Sequence, residues 1–346
     1  MSTLYVTQPG SKLQKSNERL IITQGDEVLK QIPIIKVDQI VLMGKSVSIT
    51  TPLMHELVRR KIDIVYLTGS GKYAFRVQGE RHNNVNLRHM QSFEIVKPEK
   101  ALAIASQIVC GKISNQRTLI RRYCNGAPWA SNALNSLQGQ QQQTQMASNL
   151  EVLRGIEGTA AKDYFAMFRK LLKKPQDGDS WNFFRRAYYP PTDPINAMLS
   201  FGYTLLLRDI NTSCQMIGLD PCIGFFHVIH YGRPSMALDL MEEFRPIVVD
   251  TIVLQMVNQS KVRVSDFETK TKKESEEQKV QHMAILMKDA VRKEFITQYE
   301  KRVNQRSYYP FLGKQLTYRQ IFSQQAQLMA RVILKQEEKY VSYTIR

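Results

Sequence analysis

A chain of 346 residues, 43% of them hydrophobic, has the apolar material for folded cores and the length for two domains. Its 48 basic and 31 acidic side chains leave a formal charge of +17, a field that favours polyanions and gives salt-sensitive affinity for phosphate backbones. No stretch approaches the roughly 20 apolar residues of a membrane span, and the opening residues lack a basic-then-apolar secretion pattern, so a cytoplasmic protein with no membrane partner is expected.

Residues 1–93 predict a small β-sandwich-like domain. Leu4-Tyr5-Val6, Leu20-Ile21-Ile22, Ile32 to Ile35, Gln39 to Met43 and Ile62 to Leu67 are short and β-rich. Gly10, Gly25-Asp26, Gly44 and Gly69-Ser70-Gly71 mark turns between them. Thr51 to Arg60 interrupts this pattern with Leu53, Leu57 and Val58 at helical spacing behind Pro52. Residues 94–100 read as a linker. Beyond Pro98, Leu102, Ala105, Ile108, Val109 and Ile113 recur at threes and fours, the helical period. Residues 101–346 are therefore expected to form a larger all-α domain, and the whole an α+β fold.

Two segments are expected to stay outside the packing. Tyr123 to Leu150 has no charged residue and includes the run Gln140 to Gln143, which predicts a mobile loop. Lys261 to Glu277, crowded with Lys, Glu, Ser and Thr, predicts an exposed flexible excursion. Cys110, Cys124, Cys214 and Cys222 form no CxxC pair, so reduced thiols are expected rather than a zinc site or disulfide framework.

Three clusters in the helical part could carry chemistry. Glu157 follows Gly155-Ile156 on a face shared with Ala160, Ala161 and Tyr164, where a buried carboxylate would need a partner or a metal. His227 closes Gly224-Phe225-Phe226-His227, with His230 three residues on. Asp239 and Glu242 lie at i and i+3 on a helix that Ser235 is expected to cap, Glu243 points elsewhere, and Pro246 ends or kinks the helix. Each cluster alone has a plainer reading: a surface glutamate, a satisfied core histidine, a solvated acidic face. Together, in so basic a chain, they favour a hard-cation site. Mixed carboxylate and imidazole ligation suits Mg2+ or Mn2+, and such a metal polarises phosphoryl groups.

The ordered motifs along nearly the whole chain resemble a known family, the CRISPR-associated endonuclease/integrase of spacer acquisition, the first-numbered Cas protein. The resemblance runs through Leu4-Tyr5-Val6, Ile32-Pro33, Val41-Leu42-Met43-Gly44 and Ile64-Val65-Tyr66-Leu67. It continues through Lys112-Ile113-Ser114-Asn115-Gln116, Glu157-Gly158, Asp193-Pro194-Ile195-Asn196 to Gly202-Tyr203, Gly224 to His227, and Asp239 to Pro246.

What the resemblance implies is a homodimer with one Mg2+ or Mn2+ per subunit, held and used for catalysis by Glu157, His227 and Glu242, with Asp239 beside them. It also implies a small ferredoxin-like second-numbered Cas partner. The implied substrates are double-stranded DNA, as spacer precursor and CRISPR repeat. The implied reaction is attack of a 3′-hydroxyl on a phosphodiester, a transesterification.

Basic residues suggest a DNA path. Lys112, Arg117, Arg121 and Arg122 share one predicted helix, and Arg185-Arg186 lie among Trp181, Phe183, Phe184, Tyr188 and Tyr189. Basic groups beside aromatics can grip phosphates and stack on bases, or the aromatics can be core with snorkelling arginines. Arg245 is expected to pair with a metal-site carboxylate instead.

Overall fold

The sequence alternation of the first unit, Met1–His82, resolves in the computed structural model into β1 (Thr3–Val6), β2 (Ser11–Ser16), β3 (Arg19–Gln24), β4 (Glu27–Pro33), β5 (Gln39–Met43), β6 (Ser48–Ile49), α1 (Thr51–Arg59), β7 (Asp63–Leu67) and β8 (Tyr73–Val77). The structure describes residues 3–44, 46–68, 73–77, 79, 84–177, 180–187, 190–273 and 281–345; the predicted Gly69-Ser70-Gly71 turn lies outside them. The strands form two sheets, ordered β1-β5-β7-β8 and β4-β3-β2-β6. β1, β5 and β7 run parallel, and β5 is buried at every position, as an apolar central strand covered on both faces must be. Val6, Leu13, Leu20 and Leu42 from the two sheets share one core with Leu53 and Leu57 of α1.

The second unit, Asn83–Arg346, is mainly helical. It contains α2 (Val85–Ile95), α3 (Pro98–Tyr123), α4 (Trp129–Gln143), α5 (Leu150–Leu171), α6 (Pro194–Ile217), α7 (Ser235–Glu242), α8 (Thr251–Asn258), β9 (Phe267–Lys273), β10 (Gln281–Met287), α9 (Asp289–Val303), β11 (Arg306–Tyr309), β12 (Lys314–Thr317) and α10 (Tyr318–Ile333). α6 is apolar nearly all round and buried along most of its length, the mark of a central helix. At Gly202 a Cβ would lie 2.5 Å from Val249 Cγ1 and 2.8 Å from Phe295 Cζ, so only glycine lets the neighbours approach α6 there. No helix among the described residues is long and apolar enough to cross a membrane, and Cys110, Cys124, Cys214 and Cys222 form no disulfide.

Five expectations need correction. The unit boundary falls after His82 rather than at residue 93, and residues 94–100 are no linker, since they end α2 and open α3 with Pro98 in its first turn. The expected loop from Tyr123 to Leu150 is largely the helix α4, packed on α3 and α5. Glutamine is a good helix former, Ala130 and Leu137 give α4 a buried stripe, and Gln140 donates to Asp163 Oδ2 at 2.8 Å. The expected flexible excursion contains β9, paired antiparallel with β10; residues 274–277 lie outside the described ones. The second unit is therefore not all-α, because β9-β10 and β11-β12 are hairpins within it.

Candidate active site

α7 and the loop before it set the geometry. Gly224 is pressed against the first turn of α7: a Cβ there would lie 2.5 Å from the Ser235 carbonyl carbon and 2.7 Å from Asp239 Oδ2. That contact brings three successive backbone N–H groups onto the buried Asp239. Phe225 and Phe226 donate to Oδ2 at 2.6 and 2.9 Å, and His227 donates to Oδ1 at 2.9 Å. His227 Nδ1 lies 2.7 Å from the same Oδ1, which turns Nε2 toward Glu242 Oε1, 3.6 Å away. Arg154 of α5 clamps the loop from the other side by donating to the Phe226 carbonyl at 3.0 Å. With both oxygens committed, Asp239 orients the imidazole, the usual second partner of a ligating or catalytic histidine.

Ser235 is not the cap of α7. Pro234 occupies that position without a side-chain bond, and Ser235 Oγ donates instead to the Val228 carbonyl at 3.1 Å. The segment around His227 is not helical, so His230 shares no helical face with it and is exposed. Pro246 begins a π-helical stretch, Pro246–Asp250, that leads into α8.

Glu242 ends α7 with its side chain buried. Oε1 accepts from Arg245 Nε at 3.0 Å, and Oε2 lies 2.6 Å from Lys112 Nζ. The same ammonium donates to Glu157 Oε1 at 2.5 Å. Burial opposes the charge on Glu242, but Arg245, Lys112 and His227 outweigh it and hold the carboxyl at about 2. Burial likewise opposes the charges on Lys112 and Arg245, yet their carboxylate partners raise both above their ordinary values. Arg245 also stands 4.5 Å over the ring of Tyr203. Beneath it, the hydroxyls of Tyr203 and Tyr164 each donate to Asp250 at 2.6 Å, and burial lifts the Asp250 carboxyl to about 6.

The three residues singled out from the sequence are thus brought to one place, though not as a ready trio. His227 meets Glu242 directly, whereas Glu157 is linked to Glu242 through the Lys112 ammonium. As these side chains stand, no three His, Cys, Asp or Glu groups among the described residues gather around a single ion position. Glu157 and His227, at 22% and 17% side-chain exposure, form the open edge, and Glu242, at 4%, the floor.

Lys112, expected on a DNA-facing stretch, is instead buried inside the site. The signal was available: the period Ala105, Ile108, Val109, Ile113 that marks the helix also puts position 112 on its buried face. Of the other basic residues, Arg121, Arg122 and Arg185 are exposed. Arg117 is held by Gln141 and Gln138 at 2.7 and 2.8 Å, and Arg186 by Asn196 and Ser200 at 2.9 and 3.0 Å. Trp181 and Phe183 are core residues, while Phe184 is exposed under the Arg169 guanidinium, 4.9 Å away. Tyr188 and Tyr189 lie outside the described residues.

A second cluster backs the site. Glu243 turns away from Glu242 and accepts from the Tyr340 hydroxyl at 2.8 Å, Gln325 Nε2 at 3.1 Å and the Tyr343 N–H at 2.6 Å. Burial among these neutral partners pushes its carboxyl up to about 7. Asn115 of α3 donates to the carbonyls of Glu243 and Tyr343 at 2.8 and 2.9 Å and accepts from the Ile345 N–H at 3.0 Å. Residues 340–345 thereby strap α3 to the end of α7. At Gly111 a Cβ would lie 2.2 Å from Ser342 Cβ, so glycine is required where the strap crosses. Nothing in the sequence patterns pointed to this clasp.

Residues 4–301 match the family described as CRISPR associated protein Cas1. A CRISPR-associated endonuclease Cas1 of Thermus thermophilus is 34% identical over 100% of this chain and 98% of its own length. A Cas4 exonuclease/Cas1 endonuclease fusion of Geobacter sulfurreducens is 32% identical over 99% of this chain, which spans only 60% of that fusion. Among solved structures, a casposase bound to integration product has the same fold, with a TM-score of 0.82 at 21% identity, covering 99% of this chain and 93% of the casposase. A Cas6-RT-Cas1–Cas2 complex contains a chain matching at a TM-score of 0.83 and 24% identity, covering 100% of this chain and 36% of that one.

Proposed function

The chain belongs to the Cas1 family of CRISPR-associated proteins, and on that premise we propose that it is a divalent-metal-dependent DNA integrase and endonuclease of spacer acquisition. The carrying observation is the convergence of His227 Nε2 and Glu242 beside Glu157, with Asp239 fixing the imidazole. The relatives named as endonucleases and the casposase bound to integration product support the same reading.

The donor set fits a hard cation in kind. Two carboxylates and one imidazole nitrogen are the ligands Mg2+ and Mn2+ accept, and the buried Glu242 Oε2 has no well-directed hydrogen bond. Glu157, His227 and Glu242 would hold the ion, which when bound supplies Lewis-acid polarisation of a phosphodiester. The remaining work falls to the chain. Asp239 keeps the histidine ring turned toward Glu242, and Arg245 keeps Glu242 ionised and in place. The excess positive charge draws double-stranded DNA, with the exposed Arg121, Arg122 and Arg185 as candidate phosphate contacts. A 3′-hydroxyl of the spacer precursor attacks a phosphodiester of the CRISPR repeat. One such bond replaces another, so no nucleotide energy source is required. A Cas2-type partner is proposed by likeness to the Cas6-RT-Cas1–Cas2 complex, and a homodimer is proposed from the family resemblance.

The test is incubation of a labelled duplex and Mn2+ with a supercoiled plasmid carrying a repeat. Joined half-site products that vanish in EDTA are expected. DNA binding without any joined or cleaved product would make the protein a scaffold and overturn the reading.

A further inference from the structure

Lys112 stands where two carboxylates converge. Its Nζ lies 2.5 Å from Glu157 Oε1 and 2.6 Å from Glu242 Oε2, and the side chain is 11% exposed. It is not a surface lysine that happens to fall inward. Immediately before it, Gly111 admits the strap against α3. Within one helical turn after it, Asn115 ties α3 to the Glu243 and Tyr343 carbonyls. The helix that aims Lys112 is thus fixed from behind.

The ammonium nonetheless suits its place imperfectly. Glu242 Oε2 is buried 2.6 Å from Nζ, a contact set by charge more than by direction. A spherical cation makes no such directional demand. Withdrawing the ammonium leaves two carboxylates, Glu157 and Glu242, with one guanidinium, Arg245, that pairs with Glu242 alone, so another cation must take its place. An ammonium in contact with one oxygen of each glutamate also fills the space in which an ion bridging them would sit. Glu157 and His227, at 22% and 17% side-chain exposure, are the more open members of the cluster around it.

We propose that Lys112 is a built-in counter-ion which a divalent metal must displace: ammonium and metal are alternative occupants of the Glu157–Glu242 oxygen pair. Lys112 then keeps the two carboxylates together before metal arrives and sets how tightly the site takes it. The inference rests on the metal-site reading above, but testing it requires no strand transfer.

Mn2+ titrations of the wild-type protein and Lys112→Met, followed by calorimetry and by the electron paramagnetic resonance of free Mn2+, decide it. The methionine variant is expected to bind Mn2+ roughly 10- to 100-fold more tightly, because the ion no longer has to break a buried ion pair. In EDTA that variant should melt below wild type, and Mn2+ should raise its Tm by more. Equal or weaker Mn2+ binding by folded Lys112→Met overturns the proposal. Should the variant not fold, lysine-directed acylation of the wild-type chain read by mass spectrometry serves instead. Labelling of Lys112 should rise with Mn2+, and labelling unchanged at saturating Mn2+ overturns the proposal. A tighter site in a protein that joins no DNA would uphold the counter-ion while counting against the integrase.

Discussion

Glu242 and Glu243 are neighbours at the end of one helix, both buried, and they live in opposite electrostatic worlds. On the Glu242 side a guanidinium, an ammonium and an imidazole surround the carboxylate, and its pKa is held at about 2. On the Glu243 side the partners are an amide, a tyrosine hydroxyl and a backbone N–H, and the pKa rises to about 7. Burial pushes both carboxyls the same way; only the charge of the partners differs. The difference separates two jobs. A carboxylate kept ionised at every working pH is ready for a cation, whereas one that shares a proton with its surroundings serves as a joint between segments.

The contrast can be broken most forcefully at Glu242. Glu242→Gln keeps the size of the side chain and removes the charge, so Lys112 and Arg245 lose a shared anion. Strand transfer should fall on the order of 1000-fold, and the melting curve should show a loss of a few kcal/mol. A variant that joins DNA within about tenfold of wild type would remove Glu242 from the chemistry. Asp239→Asn should act more mildly. The three loop N–H groups would face an amide that can accept them less well, and His227 would lose its anchor. A decrease of roughly 10- to 100-fold in joining rate is expected, with Mn2+ affinity falling alongside. If rate and affinity both hold, Asp239 is a packing residue only.

The smallest effect, and the one that sharpens the comparison, belongs to Glu243. Its folded pKa of about 7 lies above the ordinary glutamate value of 4.5, so the native state holds the proton more tightly. That contribution to stability is complete at and below pH about 4.5 and is lost as pH rises toward 7. Asp250, raised to about 6, adds the same sign over a lower window. Glu243→Gln mimics the protonated form and should flatten urea-unfolding stability across this range by up to about 1.4 kcal/mol per pH unit. An unchanged slope would mean that Glu243 is ionised where it sits. The same substitution at Glu242 should leave this slope alone, since its own titration lies far lower.

What the sequence disclosed follows the range of each signal. The helix α3, with its clear apolar period, was legible because the period is local, and so was the pairing of Asp239 and Glu242 on one face. The helix α4 was hidden by its glutamines: composition suggested disorder, while propensity and a stripe of two small or apolar residues settled it. Lys112 was misplaced because its charge was weighed above its position in the period. The strap could not be read at all. Asn115 and Tyr343 are 228 residues apart, and no local pattern links an asparagine on one helix to main-chain carbonyls so distant.

That separation has a consequence for synthesis on the ribosome. Glu157, His227 and Glu242 are all translated well before residues 340–345, and closing a loop of this span is entropically among the later contacts a chain can make. Until the strap is made and docks, Asn115 lacks its carbonyl partner at Tyr343 and α3 lacks the clasp that holds it to α7. A growing chain therefore carries every reactive group of the site without the last brace of their alignment. The alignment of these groups is completed only once residues 340–345 have emerged and docked, a built-in delay between making the parts and setting them.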